Sequence, residues 1–158
     1  LRPAPRDKRV FTPGVNLLGA TYRLPGYGVR RALKTCLVVD DSRVIRKVSR
    51  RILEDLGFEV AEASDGVEAM AWCSAVMPDV ILLDWIMPVM DGLEFVVRLR
   101  GEPGGETPRV IFCSGETEID RIREALDAGA DEYIMKPFDG AIVAGKLHDL
   151  GLLEELAA

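Results

Sequence analysis

Four charged residues stand where short apolar runs end: Asp40 and Asp41 after Cys36-Leu37-Val38-Val39, Asp84 after Val80-Ile81-Leu82-Leu83, and Lys136 after Tyr133-Ile134-Met135. Carboxylates gathered in one place repel one another unless protons or a hard divalent cation intervene. Mg²⁺ suits a site with few protein carboxylates, completed by water and phosphate oxygens. A lysine opposite supplies the positive partner for a phosphoryl group. A carboxylate in such a site can also act as a nucleophile and form an aspartyl phosphate.

The elements that must position these residues follow from the pattern around them. Apolar runs alternate with helical patterns from Lys34 onward, which is the signature of successive βαβ units. Strands are expected at Cys36–Val39, Phe58–Ala63, Val80–Leu83, Val110–Cys113 and Glu132–Met135. Ser42 or Asp41 is expected to cap a first helix that ends at Gly57 and buries Val44, Ile45, Val48, Ile52, Leu53 and Leu56. Asp65-Gly66 opens a second helix, and a third runs from Leu93 to Arg100. A fourth spans Ile119 to Ala128, and a fifth begins at Gly140 or Ala141 and reaches Leu150. The stretch from Gly101 to Glu106, rich in glycine, proline and glutamate, is expected to be an exposed loop. Parallel strands need helices on both faces, so the fold class is α/β, a three-layer sandwich. The carboxyl ends of its strands converge on one crevice.

Five segments carry a resemblance beyond these patterns: Leu37-Val38-Val39-Asp40-Asp41-Ser42, Leu83-Asp84-Trp85-Ile86-Met87-Pro88, Asp91-Gly92, Phe112-Cys113-Ser114-Gly115 and Lys136-Pro137-Phe138. In this order and spacing they resemble the receiver domains of bacterial two-component response regulators, of the CheY-like single-domain type. The resemblance covers about Lys34 to Leu153. It implies a flavodoxin/CheY-like five-stranded parallel sheet in the order 2-1-3-4-5, and a cis peptide bond before Pro137. It makes Asp84 the phosphoacceptor. Asp41, Asp84 and the backbone carbonyl of Ile86 become direct Mg²⁺ ligands, and Asp40 a ligand chiefly through water. Lys136 is implied to hold a phosphoryl oxygen. Ser114 and Tyr133 are implied to form a switch towards the surface of the fourth helix, fifth strand and fifth helix. Ile86 and Glu116 occupy positions suited to tuning dephosphorylation; an aliphatic Ile86 cannot orient the attacking water, so a long-lived phosphoryl group is expected.

The function implied is acceptance of a phosphoryl group from a histidine kinase, followed by a change in which output protein is bound, with chemotaxis as one pathway that uses such domains. The alternative is a phosphorelay intermediate that passes phosphate to a histidine phosphotransfer protein. The chain is expected to be no enzyme in its own right, beyond Mg²⁺-dependent self-phosphorylation from donors and slow autodephosphorylation. A haloacid-dehalogenase-type phosphatase would need a DxD spacing that Asp40-Asp41-Ser42-Arg43 lacks. A flavodoxin-like flavin carrier would not place two aspartates where its phosphate binds.

Composition is consistent with a compact domain, at 48% hydrophobic and 29% charged residues over 158 positions. No apolar run approaches the ~20 residues of a membrane span, so a cytoplasmic location without membrane partners is expected. Cys36, Cys73 and Cys113 have no metal-ligand spacing and read as small buried hydrophobes. Residues 1–33 hold seven basic residues against one acidic, whereas residues 34–158 hold thirteen against twenty-five. Prolines at 3, 5, 13 and 25 break that arm, which is expected to be a disordered basic extension. It has too few aromatic residues to point to nucleic acid. The receiver is assigned to 34–153 and a tail to 154–158, with no output domain expected after Leu153. Arg43, Arg46, Lys47, Arg50 and Arg51 form a basic stripe on the first helix, read as a solvated face close to where the kinase docks in the resembled family. His148 reads as surface structure.

Overall fold

The computed structural model of the chain describes residues 33–115 and 119–154. Ten elements alternate along it: β1 (Thr35–Val39), α1 (Arg43–Asp55), β2 (Glu59–Ala63), α2 (Gly66–Ala75), β3 (Val80–Asp84), α3 (Gly92–Gly101), β4 (Arg109–Ser114), α4 (Ile119–Ala128), β5 (Glu132–Met135) and α5 (Gly140–Asp149). The strands pair in parallel in the order β2-β1-β3-β4-β5, as expected. The order reverses between β1 and β3, so the crevice beyond their carboxyl ends lies where Asp40, Asp41 and Asp84 stand.

Side chains alternate across each strand and so divide the core into two layers. Leu37, Val39, Ile81, Leu83, Val110 and Phe112 face α2, α3 and α4 through Ala69, Phe95, Leu99 and Ala125. Cys36, Val38, Val80, Leu82, Ile111 and Cys113 face α1 and α5 through Leu53, Val143 and Leu147. The central strands are apolar on both faces for this reason, whereas the edge strand β2 admits Glu59 and Glu62. Four helices start on an oxygen that accepts from a first-turn amide: Ser42 from Ile45, Asp65 from Glu68, Asp91 from Glu94 and Asp139 from Ile142. Gly57, at φ 89°, follows the end of α1 in a conformation that glycine adopts without cost.

Two details differ from the sequence reading. The buried side of α1 carries Ser49 and Leu53, flanked by half-buried Ile45, Ile52 and Leu56, while Val44 and Val48 are 70% and 49% exposed. At about 100° per residue, positions 45, 49, 52, 53 and 56 share one face, and 44 and 48 lie beside it. The loop after α3 is only partly exposed, because Gly105 is buried. The Arg100 guanidinium donates to the carbonyls of Gly105, Pro108 and Gly129 and pairs with Asp131 at 3.1 Å, tying that loop to the turn before β5.

All three cysteines are free and buried, and burial pushes the Cys73 thiol up to about 11 and those of Cys36 and Cys113 higher still, so none is poised as a thiolate. Among the described residues no helix is long and apolar enough to cross a membrane. His148 is exposed. The expected basic extension, apart from Leu33, and the last four residues of the tail lie outside the described residues.

Ser49 Oγ is buried without a hydrogen-bond partner and lines a crevice shared with Val38, Asp40, Asp84 and Cys113. An unsatisfied buried hydroxyl costs about 1 kcal/mol or more. Ser49→Ala is therefore expected to raise the unfolding free energy in urea by about 1 kcal/mol. A loss of similar size would show that the hydroxyl is served by a water in the crevice.

Candidate functional site

Asp40 is fixed at the end of β1 by three contacts. Its amide donates to the Ala63 carbonyl at 3.1 Å, its Oδ1 accepts from the Ser42 amide at 2.8 Å, and its Oδ2 accepts from Lys136 Nζ at 2.8 Å. Asp84, ending β3, accepts from the Trp85 amide at 2.8 Å and lies 3.2 Å from Lys136 Nζ. Asp41 is exposed, and its carboxylate makes no hydrogen bond or ion pair with a described residue. Ligand oxygens of Asp40, Asp41 and Asp84 lie within 4.8 Å of one another. The structure thus brings together the four charged residues singled out by their position at strand ends.

The start of α3 is pressed against this floor. The Gly92 amide donates to the Trp85 carbonyl at 2.9 Å, and a Cβ at position 92 would lie only 2.2 Å from the Asp84 carbonyl oxygen. Only glycine permits that approach. Trp85 turns away from the charges into the core, its ring 4.9 Å from that of Phe112, and the Arg121 guanidinium of α4 lies 5.5 Å from the Trp85 ring centroid. Val89, in the loop between Asp84 and α3, has φ 69°, a left-handed conformation that is costly for a β-branched residue, and is 81% exposed. No sequence feature marked this strain.

Burial and crowding set the electrostatics. Asp84 is pushed up to about 6, first by burial and then by the neighbouring Asp40 charge, against the opposing pull of Lys136. Burial pulls Lys136 down, but its hydrogen bond with Asp40 and the charge of Asp84 outweigh this and hold it above its ordinary value. The ammonium is therefore fixed as a cation between two carboxylates.

The donor set fits a hard divalent cation: three carboxylates whose ligand oxygens lie close together, with Asp41 exposed to solvent. Ser114 is buried at the end of β4, one residue beyond Cys113, which is in register with Asp84. Its carbonyl accepts from the Lys136 amide at 2.9 Å, and Lys136 enters a cis bond to Pro137. Tyr133, half-buried on β5, is in register with Phe112 and packs against the α2–α3–α4 side of the core. The Ile86 side chain is 63% exposed beside the site. Glu116 lies outside the described residues.

The basic stripe of α1 is not a uniformly solvated face. Glu62 of β2 gathers Arg46 at 3.4 Å, Lys47 at 3.4 Å and Arg50 at 2.6 Å. Despite partial burial, Arg50 and Lys47 hold the Glu62 carboxyl below its ordinary range. The sequence places Glu62 only in an edge strand, and no spacing rule joins it to a helix twelve to sixteen residues earlier.

The response regulator receiver domain model matches residues 36–147 of the chain. Response regulator MprA of Mycobacterium tuberculosis is 43% identical over 102 residues, which are 65% of this chain and 44% of MprA. MprA of Mycobacterium avium is 42% identical over the same length. The chain thus spans less than half the length of these relatives. Among solved structures, the chemotaxis protein CheY4 of Vibrio cholerae superposes with a TM-score of 0.72 at 35% identity, covering 75% of this chain and 98% of CheY4. CheY in the CheX-CheY-BeF3-Mg complex of Borrelia burgdorferi superposes with a TM-score of 0.70 at 29% identity, covering 75% of this chain and 89% of that one.

Because burial and the Asp40 charge push Asp84 up to about 6 in the fold, well above an ordinary carboxyl, folding favours its protonated form. The penalty for ionising it appears as pH rises from about 4 to about 6 and is complete above that. In chelator, Asp84→Asn is therefore expected to be as stable as the native chain near pH 3.5 and more stable at pH 7.5, by on the order of 2 kcal/mol. Mg²⁺ should narrow the gap at pH 7.5 by stabilising the native chain alone. Calorimetric melting at the two pH values measures this, and a pH-independent difference would contradict it.

Proposed function

The chain belongs to the response regulator receiver domain family, and on that premise we propose that Asp84 accepts a phosphoryl group from a histidine kinase and that its phosphorylation switches partner binding. The observation that carries the proposal is the placement of Lys136 Nζ, 2.8 Å from Asp40 and 3.2 Å from Asp84, with Asp41 completing an acidic group at the same sheet edge. Phosphoryl transfer needs positioning and charge compensation more than covalent machinery. An Asp84 carboxylate oxygen attacks phosphorus in line, the bond from phosphorus to the donor's imidazole nitrogen breaks, and the imidazole leaves. Lys136 compensates the phosphoryl oxygens from its own side.

Asp40, Asp41, Asp84 and the Ile86 carbonyl are the groups proposed to hold Mg²⁺, as direct or water-mediated ligands. Bound there, the ion supplies positive charge against the incoming phosphoryl oxygens. Ser114, one residue beyond the rung opposite Asp84, is placed to donate its hydroxyl to a phosphoryl oxygen. Tyr133 lies two residues before the end of β5, on the side of the sheet that α4 covers, and the α4–β5–α5 surface is the proposed output face. The reverse transfer, from Asp84 to a histidine phosphotransfer protein, uses the same groups. A cytoplasmic location follows from this reading, since the kinase's phosphohistidine must meet Asp84 there.

Incubation with Mg²⁺ and acetyl phosphate is expected to label Asp84, and Asp84→Asn or chelation is expected to abolish labelling. Phosphate found on another residue of the native chain would overturn the assignment. The 63% exposed, aliphatic Ile86 offers no polar group to orient a water for hydrolysis. Radiolabelled Ile86→Asn should therefore lose its phosphoryl group severalfold faster than the native protein at equal Mg²⁺. Equal rates would place control of the lifetime elsewhere.

A further inference from the structure

Asp41 presents a puzzle of orientation. Asp40 is held through its amide and both carboxylate oxygens, and Asp84 through the Trp85 amide and Lys136, whereas the Asp41 carboxylate has no such partner among the described residues. Its direction is set by its backbone alone. That backbone is gripped from one side by a single residue: Arg46 Nη1 donates to the Asp40 carbonyl at 2.7 Å and to the Asp41 carbonyl at 3.3 Å. Arg46 Nε lies 3.4 Å from Glu62 Oε1, and the two side chains are only 17% and 16% exposed. The Arg46 amide also bonds to the Ser42 carbonyl at 3.0 Å, so the guanidinium reaches back over the turn that begins its own helix.

We propose that Arg46, anchored on Glu62, is a positioning residue for divalent-cation binding: it locks the Asp40–Asp41 turn so that the Asp41 carboxylate is set towards the cation before the cation arrives. The proposal rests on the acidic site being a cation site, as argued above. A planar guanidinium can reach two successive carbonyls and a carboxylate at once through its fixed fork of donors. A lysine ammonium has the charge but not the geometry. Outer-shell groups that hydrogen-bond metal ligands typically govern affinity by 10- to 100-fold, and Arg46 acts one step back, on the backbone that carries the ligands.

The sign of the effect separates positioning from simple charge. By Coulomb's law, removing a cation near three carboxylates should tighten Mg²⁺ binding. Loss of positioning should weaken it. The test is titration of the full chain with Mg²⁺ alone by calorimetry, for the native protein, Arg46→Met, Arg46→Lys and the control Arg43→Met, which removes an exposed charge from the same helix. Circular dichroism confirms that each is folded at the temperature used. Both Arg46 variants are expected to bind Mg²⁺ about tenfold more weakly, and Arg43→Met to bind as the native chain does or slightly more tightly. If Arg46→Met does not fold, the charge-retaining Arg46→Lys decides the matter on its own. Native-like affinity in Arg46→Lys, or tighter binding in Arg46→Met, would overturn the positioning role. A native chain that does not bind Mg²⁺ would instead overturn the cation-site reading beneath it.

Discussion

The Lys136 ammonium, within 3.2 Å of both Asp40 and Asp84, is the contact on which the architecture of the site depends. Asp40 and Asp84 are 3% and 9% exposed, and carboxylates so close together in a partly dry crevice are mutually destabilising. Lysine arrives from β5, two strands away from β3 across β4, so the charges can balance only when the whole right half of the sheet is in register. The Lys136 amide is tied to the Ser114 carbonyl, which fixes the end of β5 against the end of β4. Balance remains incomplete, as the raised Asp84 shows: burial and the Asp40 charge outweigh the pull of Lys136.

Much of this was legible in the sequence because each charge follows an apolar run. Val80 to Leu83 reads as a strand buried on both faces, and a charge that follows such a strand emerges at the sheet's edge. The strand order itself came from the family resemblance and is the observed order. What the sequence did not convey were contacts between elements with no shared period. The burial of Ser49 in place of Val44 and Val48 is a matter of helix rotation, and rotation is fixed by the sheet and not by the helix's own pattern. The left-handed Val89 breaks the usual residue preference for that conformation, so no composition rule could find it.

Charge on α1 shows the same limit from another direction. Five basic residues spaced at three and four read as a solvated face, yet three of them converge on Glu62, a half-buried carboxylate of the edge strand. Glu62 is stabilised as an anion by that crowd, and in return it draws the base of α1 onto β2. Exposed pairs of this kind contribute little one by one. A shared acceptor with side-chain exposure of 16% is a different case, because its removal leaves several cations facing one another across a partly desolvated surface.

The two layers of the core meet the site differently. On one face, α1 and α5 cover Val38, Leu82 and Cys113, which line the same crevice as Asp40, Asp84 and Phe138. On the other, Asp84 is followed by Trp85, whose ring meets Phe112; Phe112 is in register with Tyr133, and Arg121 of α4 lies over the Trp85 ring. Asp84 is thereby joined, through Trp85 and Phe112, to the side of the core that α4 and Tyr133 also line. Arg121 joins this layer from α4 through a cation–π contact of order 1 kcal/mol over the Trp85 ring.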